Sequence, residues 1–270
     1  MLTAPLDVIP LWAMFLIYIG LLWGAVESGY RLGRWRHDRI QDEKEQPVGA
    51  MVASILGLVA LVLGFTFSLA ASRFDARRLA VLEEANAIGT TWLRARLLPE
   101  PQRTEIAGLL REYVEVRVHA TELGKTEDAV KRSEALHEQL WQQATAAAEK
   151  DTHSIVTGVF IQSLNDVIDL HSKRVHVGMR SRIPLVLWLG VLGLAVLGMA
   201  SIGYQSGLAA TRRSPVMIGL VLTFAVVLLL IADLDRGQEG LLQVGQQAMV
   251  DLQKTIGAPT ATSNTPDHAP

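Results

Sequence analysis

Long apolar segments alternate with strongly charged segments along this chain. The hydrocarbon core of a bilayer, about 30 Å thick, is crossed by roughly 20 apolar residues of helix. Four segments have this length and character, namely residues 8–26, 48–72, 183–204 and 216–232. The pattern therefore predicts four transmembrane helices, the third and fourth of which begin next to a proline that suits a first helical turn.

Residues 73–182, between the second and third apolar segments, have a different pattern. Apolar side chains recur there at helical spacing, and no proline occurs between residue 102 and residue 183. Charged side chains occupy the intervening positions, as is typical of amphipathic helices. Prolines 99 and 101 and the pair Gly124 and Thr126 predict breaks between helices. We expect long helices here, including 127–150 and 154–180, the last of which reads directly into the third apolar segment.

These patterns predict an all-α integral membrane protein with four transmembrane helices and a long-helix bundle inserted between helices 2 and 3. The domain boundaries follow from the same segments. They place transmembrane helices 1 and 2 in residues 1–72, the bundle in 73–182, helices 3 and 4 in 183–233, an extramembrane C-terminal segment in 234–256, and a disordered tail in 257–270.

Composition removes several classes of function. The chain has no cysteine, which excludes disulfides and thiolate metal sites, and its net charge of −2 gives no general attraction to nucleic acid. Its histidines lack the HExxH spacing of a metal site, and neither a phosphate-binding loop nor a GxSxG elbow occurs. We predict no enzyme activity, no metal and no cofactor.

The distribution of charged residues does not predict which side of the membrane the helical bundle lies on. Basic residues flank the apolar segments in nearly equal numbers on the two sides, so the positive-inside rule gives no clear answer. The cluster Arg31, Arg34, Arg36 and Arg39 after the first segment would by itself favour an external bundle.

Small residues form a stripe along the second apolar segment. Gly49, Ala53, Gly57, Ala60 and Gly64 recur at steps of three and four, which places them on one side of a helix. Such stripes allow membrane helices to approach closely. Gly49, Ala53, Ala60 and Gly64 are therefore predicted helix-packing residues, either inside one chain or between copies of it.

Copies of this helix around an axis would direct their larger side chains inward. Leu61 and Phe65, beside the small stripe, would then form a narrow apolar neck that gates ions by dewetting. Ser68 and Ser72 would widen and wet the exit. Arginines at the mouth would attract anions; the candidates are Arg73, Arg77 and Arg78. Ordinary helix packing, with arginines that reach the lipid headgroups, is the alternative interpretation.

The run GLVALVLGFTFSLAASRFDARR, followed by EEANAIGTTWLRARLLP, resembles a bacterial family of bestrophin-like membrane proteins. The resemblance implies a pentameric ion channel in the inner membrane, with its helical insert in the cytoplasm. It assigns the neck to Gly57, Leu61 and Phe65, with a glycine where bestrophins have a bulky apolar residue. A shifted neck of Leu58, Leu61 and Phe65 is the alternative.

A second resemblance follows the fourth apolar segment. Residues 233–240 are similar to the acidic, glycine-ended segment of bacterial bestrophins, and they contain Asp233, Asp235 and Glu239. Ionised groups at a membrane edge are costly and are usually paired. Arg236, or an arginine of the insert, is the predicted partner, and no calcium site is expected.

Two functions remain open from the sequence. The first is an oligomeric ion channel in the lipid bilayer, passing chloride-like anions or monovalent cations, with anions slightly favoured by the arginines. The second is a non-conducting membrane sensor or scaffold whose bundle binds a ligand or a partner protein. Neither requires nucleic acid.

Overall fold

A computed structural model of the chain describes residues 9–39, 45–120, 126–179, 181–209, 215–236 and 240–257. These residues form eight helices. They are α1 (Leu11–Arg39), α2 (Glu45–Ala95), α3 (Gln102–His119), α4 (Thr126–Lys150), α5 (Ile155–Met179), α6 (Leu185–Leu208), α7 (Pro215–Asp235) and α8 (Gln247–Gly257). The predicted all-α class is confirmed.

Four helices in the described part of the chain are long and apolar enough to cross a membrane, and each overlaps most of one predicted segment. They are α1, α2, α6 and α7. The helix α2 is 51 residues long, far more than a bilayer requires, so it continues well beyond its apolar part.

The chain divides into two compact units. Unit 1 contains residues 1–76 and 181–244, and unit 2 contains residues 77–180 and 245–270. Unit 1 has a core of apolar side chains from all four membrane-type helices, including Leu22, Val59, Ala195 and Leu228.

Glycines set the contact between α1 and α6 in unit 1. A Cβ atom at Gly29 would overlap the carbonyl oxygen of Ala200, and one at Gly203 would overlap that of Val26. Gly33 and Gly207 meet the facing backbone in the same way. Both helices therefore carry a GxxxG sequence at the point of closest approach, the arrangement that brings two membrane helices into backbone contact. The sequence analysis missed this pair of motifs.

The junction between α5 and α6 differs from the prediction. Helix α5 ends at Met179, residues 181–184 are not helical, and α6 begins at Leu185. The predicted continuous helix is wrong because Pro184 lacks an N–H donor and disfavours helical geometry in the residue before it.

Unit 2 packs the end of α2 with α3, α4, α5 and α8 around its own core. Ile88, Leu110, Leu140, Leu164 and Met249 are all fully buried there, one from each helix. Helix α4 begins at Thr126, the residue predicted as its cap, whose hydroxyl donates to the carbonyl of Ala120. Gly124 and residues 258–270, the predicted break and nearly all of the predicted tail, lie outside the described residues.

Candidate functional site

Helix α2 has an inner and an outer side within unit 1. Val59 and Leu63 are buried against the other helices of the unit. Leu61 and Phe65 point away from them, with 54% and 68% of their surface exposed. No described residue of this unit covers these two apolar side chains, which leaves them open to contact with lipid or another molecule.

The two predicted versions of the neck both lie on the outer side of α2. Gly57 is exposed and has open space where a Cβ would be, and Leu58 is 54% exposed. The positions of Leu61 and Phe65 are common to both versions. Their role as a neck stays a prediction, because it requires further copies of the chain.

Polar side chains follow Phe65 on the same side of the helix. Ser68 and Ser72 are exposed, as is Asp75 in the next turn. At 3.6 residues per turn these three positions continue the line of Leu61 and Phe65. The sequence analysis missed Asp75, although its spacing from Ser68 and Ser72 was visible.

The three predicted mouth arginines have different surroundings. Arg78 is exposed, and Arg73 is half-buried. One terminal guanidinium nitrogen of Arg73 is buried with no hydrogen-bond partner among the described residues. Arg77 is only 4% exposed, so it lies on the inner side of α2, away from the line of Phe65. The chain therefore does not present the three arginines together on one face.

The small residues of α2 do little of the packing inside the described chain. Gly49 faces the side-chain amide of Gln205 on α6, with 2.9 Å between that nitrogen and a Cβ built on the glycine. Ala53, Ala60 and Gly64 are exposed, and Gly64 has open space beside it. Their packing role stays a prediction that requires contacts beyond the described residues, whereas the glycines of α1 and α6 pack inside unit 1.

The acidic segment after α7 binds backbone amides. The buried carboxylate of Asp233 accepts hydrogen bonds from the N–H groups of Leu241 and Leu242, at 2.9 and 3.2 Å. A side chain at Gly240 would overlap this carboxylate, which explains the glycine. Asp233 therefore fixes the path of the chain after α7.

Asp235 and Arg236 connect the end of α7 to other parts of unit 1. Asp235 accepts from the N–H of Ile183 at 2.9 Å and from the Trp188 indole at 3.5 Å, which ties it to the start of α6. Arg236 is buried and donates to the carbonyl of Ile9 at 2.6 Å. Pairing between the acidic residues and Arg236 stays a prediction, and Glu239 lies outside the described residues.

Unit 2 contains a buried polar cluster centred on Glu84 of α2. Its carboxylate accepts from the Tyr113 hydroxyl at 2.7 Å, from Arg117 Nη2 at 3.3 Å and from Arg174 Nη1 at 2.5 Å. Arg174 also donates to the side-chain oxygen of Gln246 at 2.8 Å. One fully buried carboxylate thus faces two guanidinium groups, an arrangement that is costly to break.

Two histidines complete this cluster. Nδ1 of His171 is 3.2 Å from the Tyr113 hydroxyl oxygen, and the ring of His137 packs 4.9 Å from that of His171, nearly perpendicular to it. Nε2 of each histidine is buried with no hydrogen-bond partner in the described part of the chain. Burial lowers the pKa of His137 to about 4, and the electrostatic influence of the neighbouring His171 acts in the same direction. Burial also raises the pKa of Tyr113 well above its usual value, and Glu84 adds to this effect.

The sequence analysis considered the histidines only as metal ligands and missed this cluster. A signal was present, since Arg117 continues the apolar spacing of Ile106, Leu110 and Tyr113 into the core. Among the described residues, no group of three His, Cys, Asp or Glu side chains is placed to hold a metal ion.

The fold is shared with solved membrane protein structures. A bacterial bestrophin homologue from Klebsiella pneumoniae, carrying a point mutation, matches with a TM-score of 0.69 and 14% identity over 91% of this chain and 97% of that one. A second mutant of the Klebsiella homologue matches with a TM-score of 0.66 and 15% identity, covering 90% and 96%. A third structure, of a membrane protein with a proline-to-alanine substitution, matches with a TM-score of 0.68 and 14% identity over 91% of this chain and 97% of that one. No curated protein matches the chain.

Similarity of fold at 14–15% sequence identity does not by itself establish the family of a chain, whereas a match to a sequence family model does. The model of the bestrophin-like domain matches residues 19–249, which include all of α2 to α7 and most of α1. The resemblance seen in the second apolar segment is therefore confirmed over most of the chain. This chain belongs to the bestrophin-like domain family.

Proposed function

We propose that this protein is an oligomeric ion channel, a homopentamer in which the outer side of α2 lines the ion path. The observation that carries the proposal is the position of Leu61 and Phe65, which are exposed in the single chain and followed by Ser68 and Ser72. Membership of the bestrophin-like family supports the same kind of function. Copies of α2 around an axis would cover the two apolar side chains.

The chemistry of this face suits a gated path. A ring of Leu61 and Phe65 side chains forms an apolar constriction, which blocks hydrated ions when water leaves it. Ser68 and Ser72 supply hydroxyl groups beyond the constriction, where ions regain contact with polar groups. Ala53, Ala60 and Gly64, which are exposed in the chain, allow neighbouring copies to pack closely.

The sign of the permeant ion depends on the charges beyond the neck. The predicted preference for anions now rests on Arg73 and Arg78, since Arg77 is buried. Asp75 is exposed and continues the line of Phe65 and Ser72, so its negative charge opposes that preference. We propose Asp75 as the residue that weakens selection for anions.

We further propose that the protein lies in the inner membrane with its helical bundle in the cytoplasm. The family resemblance supports this orientation. The basic residues that flank the apolar segments do not favour either orientation, because they are nearly equal in number on the two sides. A single cysteine in the bundle of this cysteine-free chain should react with an impermeant reagent only after the cells are opened.

The deciding experiment combines assembly with conduction. The full chain is purified in detergent, its subunit number is measured by native mass, and it is reconstituted in liposomes for ion-flux measurement. A pentamer that conducts agrees with the proposal. A monomer or dimer without flux contradicts it and favours the sensor or scaffold function.

A further inference from the structure

Unit 1 contains an apolar groove between α1, α2 and α6, with a volume of about 460 Å³. The three helices contribute side chains to its walls, including Ser28, Leu32, Val48, Ile55, Leu197 and Ser201. Sites for small molecules commonly have volumes of about 300–1,000 Å³ and mostly apolar walls. The groove is therefore large enough for a chain-like apolar molecule.

The groove lies where three apolar segments of the sequence reach one membrane boundary. The first segment ends at residue 26, the second begins at 48 and the third ends at 204, and the lining residues are close to all three positions. Leu32 and Leu197 are 56% and 62% exposed, so the groove is open to its surroundings. In a bilayer these surroundings are the region where lipid headgroups join their acyl chains.

A tryptophan and an arginine continue the wall that α1 contributes to the groove. Ser28, Leu32, Trp35 and Arg39 follow one another at steps of four, three and four residues, so they share one side of the helix. The guanidinium carbon of Arg39 lies 4.7 Å from the centre of the Trp35 ring. This contact directs the arginine back along α1 towards the groove.

The order of these groups matches the parts of a phospholipid. Apolar walls suit an acyl chain, tryptophan is enriched where the membrane meets water, and the planar donors of arginine bind phosphate. Two other arginines of α1 already have carboxylate partners. Arg31 pairs with Glu27 at 2.8 Å, and Arg34 lies 3.8 Å from Asp38.

The first residues of the chain are too far away to fill the groove. Ile9 is held by a hydrogen bond from Arg236, and it lies about 28 Å from Ser28 along α1 at 1.5 Å per residue. Eight fully extended residues span at most about 29 Å. No more than the first residue of 1–8 could therefore reach the groove.

The other residues outside the described part offer little apolar material. Residues 40–44 contain one large aliphatic side chain, an isoleucine, and residues 121–125 of unit 2 contain one leucine. Residues 210–214, 237–239 and 258–270 contain none. A single isoleucine leaves most of a 460 Å³ groove unfilled, since a water-sized group occupies about 30 Å³.

A second copy of the chain is the remaining alternative. The groove residue Ile55 and the proposed neck residue Leu61 are six positions apart, which places them roughly 120° apart around α2 at 3.6 residues per turn. Copies that meet through Leu61 and Phe65 therefore need not cover the groove. Bilayer lipid surrounds a membrane helix whatever the number of subunits.

We propose that this groove binds a membrane phospholipid, with one acyl chain between α1 and α2 and its phosphate on Arg39 beside Trp35. The lipid fills space between the two helices that no described side chain fills. This inference rests on the membrane location of unit 1, and it depends neither on conduction nor on subunit number.

Native mass spectrometry tests the acyl-chain part of the site. The full chain in detergent is titrated with phosphatidylglycerol, and one saturable lipid per chain is expected. Ser201→Phe places a large side chain in the groove and should weaken binding at least about tenfold. The Ser201 hydroxyl donates to the carbonyl of Leu197 within its own helix. Gly190→Phe is the matched control, because it adds the same side chain at an exposed position of α6 outside the groove.

A second pair of variants tests the phosphate part. Arg39→Gln should weaken binding of phosphatidylglycerol about fivefold, the effect of one basic residue at a lipid surface. Arg31→Gln should have little effect, because Arg31 already pairs with Glu27. Diacylglycerol with the same chains and no phosphate should bind the Arg39→Gln variant and the unchanged chain equally. Asp42 and Glu43, in residues 40–44, are carboxylates that compete with phosphate for an arginine, so this pair measures the phosphate contact directly.

Helix content by circular dichroism should be equal for all four variants. Absence of a saturable lipid, equal affinities of the Ser201→Phe and Gly190→Phe variants, or an unchanged affinity after Arg39→Gln would overturn the inference. A lower subunit number for Ser201→Phe with unchanged lipid affinity would assign the groove to a second copy instead. Lipid binding as expected in a protein without ion flux would retain the inference and contradict only the proposed conduction.

Discussion

Tyr113 of α3 donates a 2.7 Å hydrogen bond to Glu84 of α2 in the interior of unit 2. The same carboxylate holds Arg117 and Arg174, so α2, α3 and α5 are joined by charged groups inside an apolar core. Buried charges of this kind are stable only while each has its partners. The cluster therefore makes the fold of this unit sensitive to single substitutions and to acid.

Glu84→Gln should strongly destabilise unit 2. The substitution leaves Arg117 and Arg174 buried against a neutral amide, and removing one partner of a buried pair costs about 3–5 kcal/mol. Thermal unfolding followed by circular dichroism measures the loss. Glu83→Gln is the control, because its exposed pair with Lys173 is worth less than about 1 kcal/mol. Similar losses for both variants would contradict a central role for Glu84.

Unit 2 should lose stability as the pH falls from about 6.5 towards 4. Burial lowers the pKa of His137 to about 4 in the folded chain, below the ordinary value of 6.5. The unfolded state therefore binds the proton first, and the stability present above pH 6.5 declines by up to about 3 kcal/mol. Unfolding midpoints at pH 7 and 4.5 test this. The decline should be smaller in His137→Phe, which cannot be protonated, and an unchanged decline would exclude His137 as its source.

Gly203→Ala should disrupt the contact between α1 and α6. The new methyl group would overlap the carbonyl of Val26, and overpacking of this kind costs about 1–3 kcal/mol. The thermal stability of the detergent-solubilised protein should fall accordingly. Gly190→Ala, also on α6, has open space within 4 Å and should have little effect. Equal stability of the two variants would mean that the helices separate easily.

Phe65→Ala should increase ion flux several-fold in liposomes, because it removes the largest side chain of the proposed neck. Phe67→Ala is the matched control, since Phe67 lies two residues away on a different side of α2 and is also exposed. Its flux should match that of the unchanged protein. If both substitutions leave flux unchanged, Phe65 does not constrict the path.

Asp75→Asn should shift the permeability ratio towards chloride. Removing a negative charge in line with Phe65 leaves Arg73 and Arg78 as the charges near the mouth. Reversal potentials in asymmetric potassium chloride measure the change. Glu83→Asn is the control, because it removes the exposed carboxylate that pairs with Lys173 in unit 2. This variant is expected to leave the reversal potential unchanged. A null effect of Asp75→Asn would place Asp75 off the ion path.

The sequence alone determined the four apolar helices, the helical insert and the family. Segment length against bilayer thickness and a 3.6-residue period are local properties, so 48–72 and 183–204 could be assigned without knowing their neighbours. Local rules also marked Pro184, although the break that it causes before α6 was missed.

Only the tertiary structure decided which side of each helix is covered. Arg77 is buried in the structure and Asp75 is exposed. Ala60 and Gly64 of α2 are exposed as well, and the close packing through glycines occurs between α1 and α6 instead. The tertiary structure also gathered Glu84, His137 and His171 from distant helices into one buried cluster. Periodicity gives the sides of a helix but not their partners, because a partner is fixed by how helices far apart in sequence pack against one another.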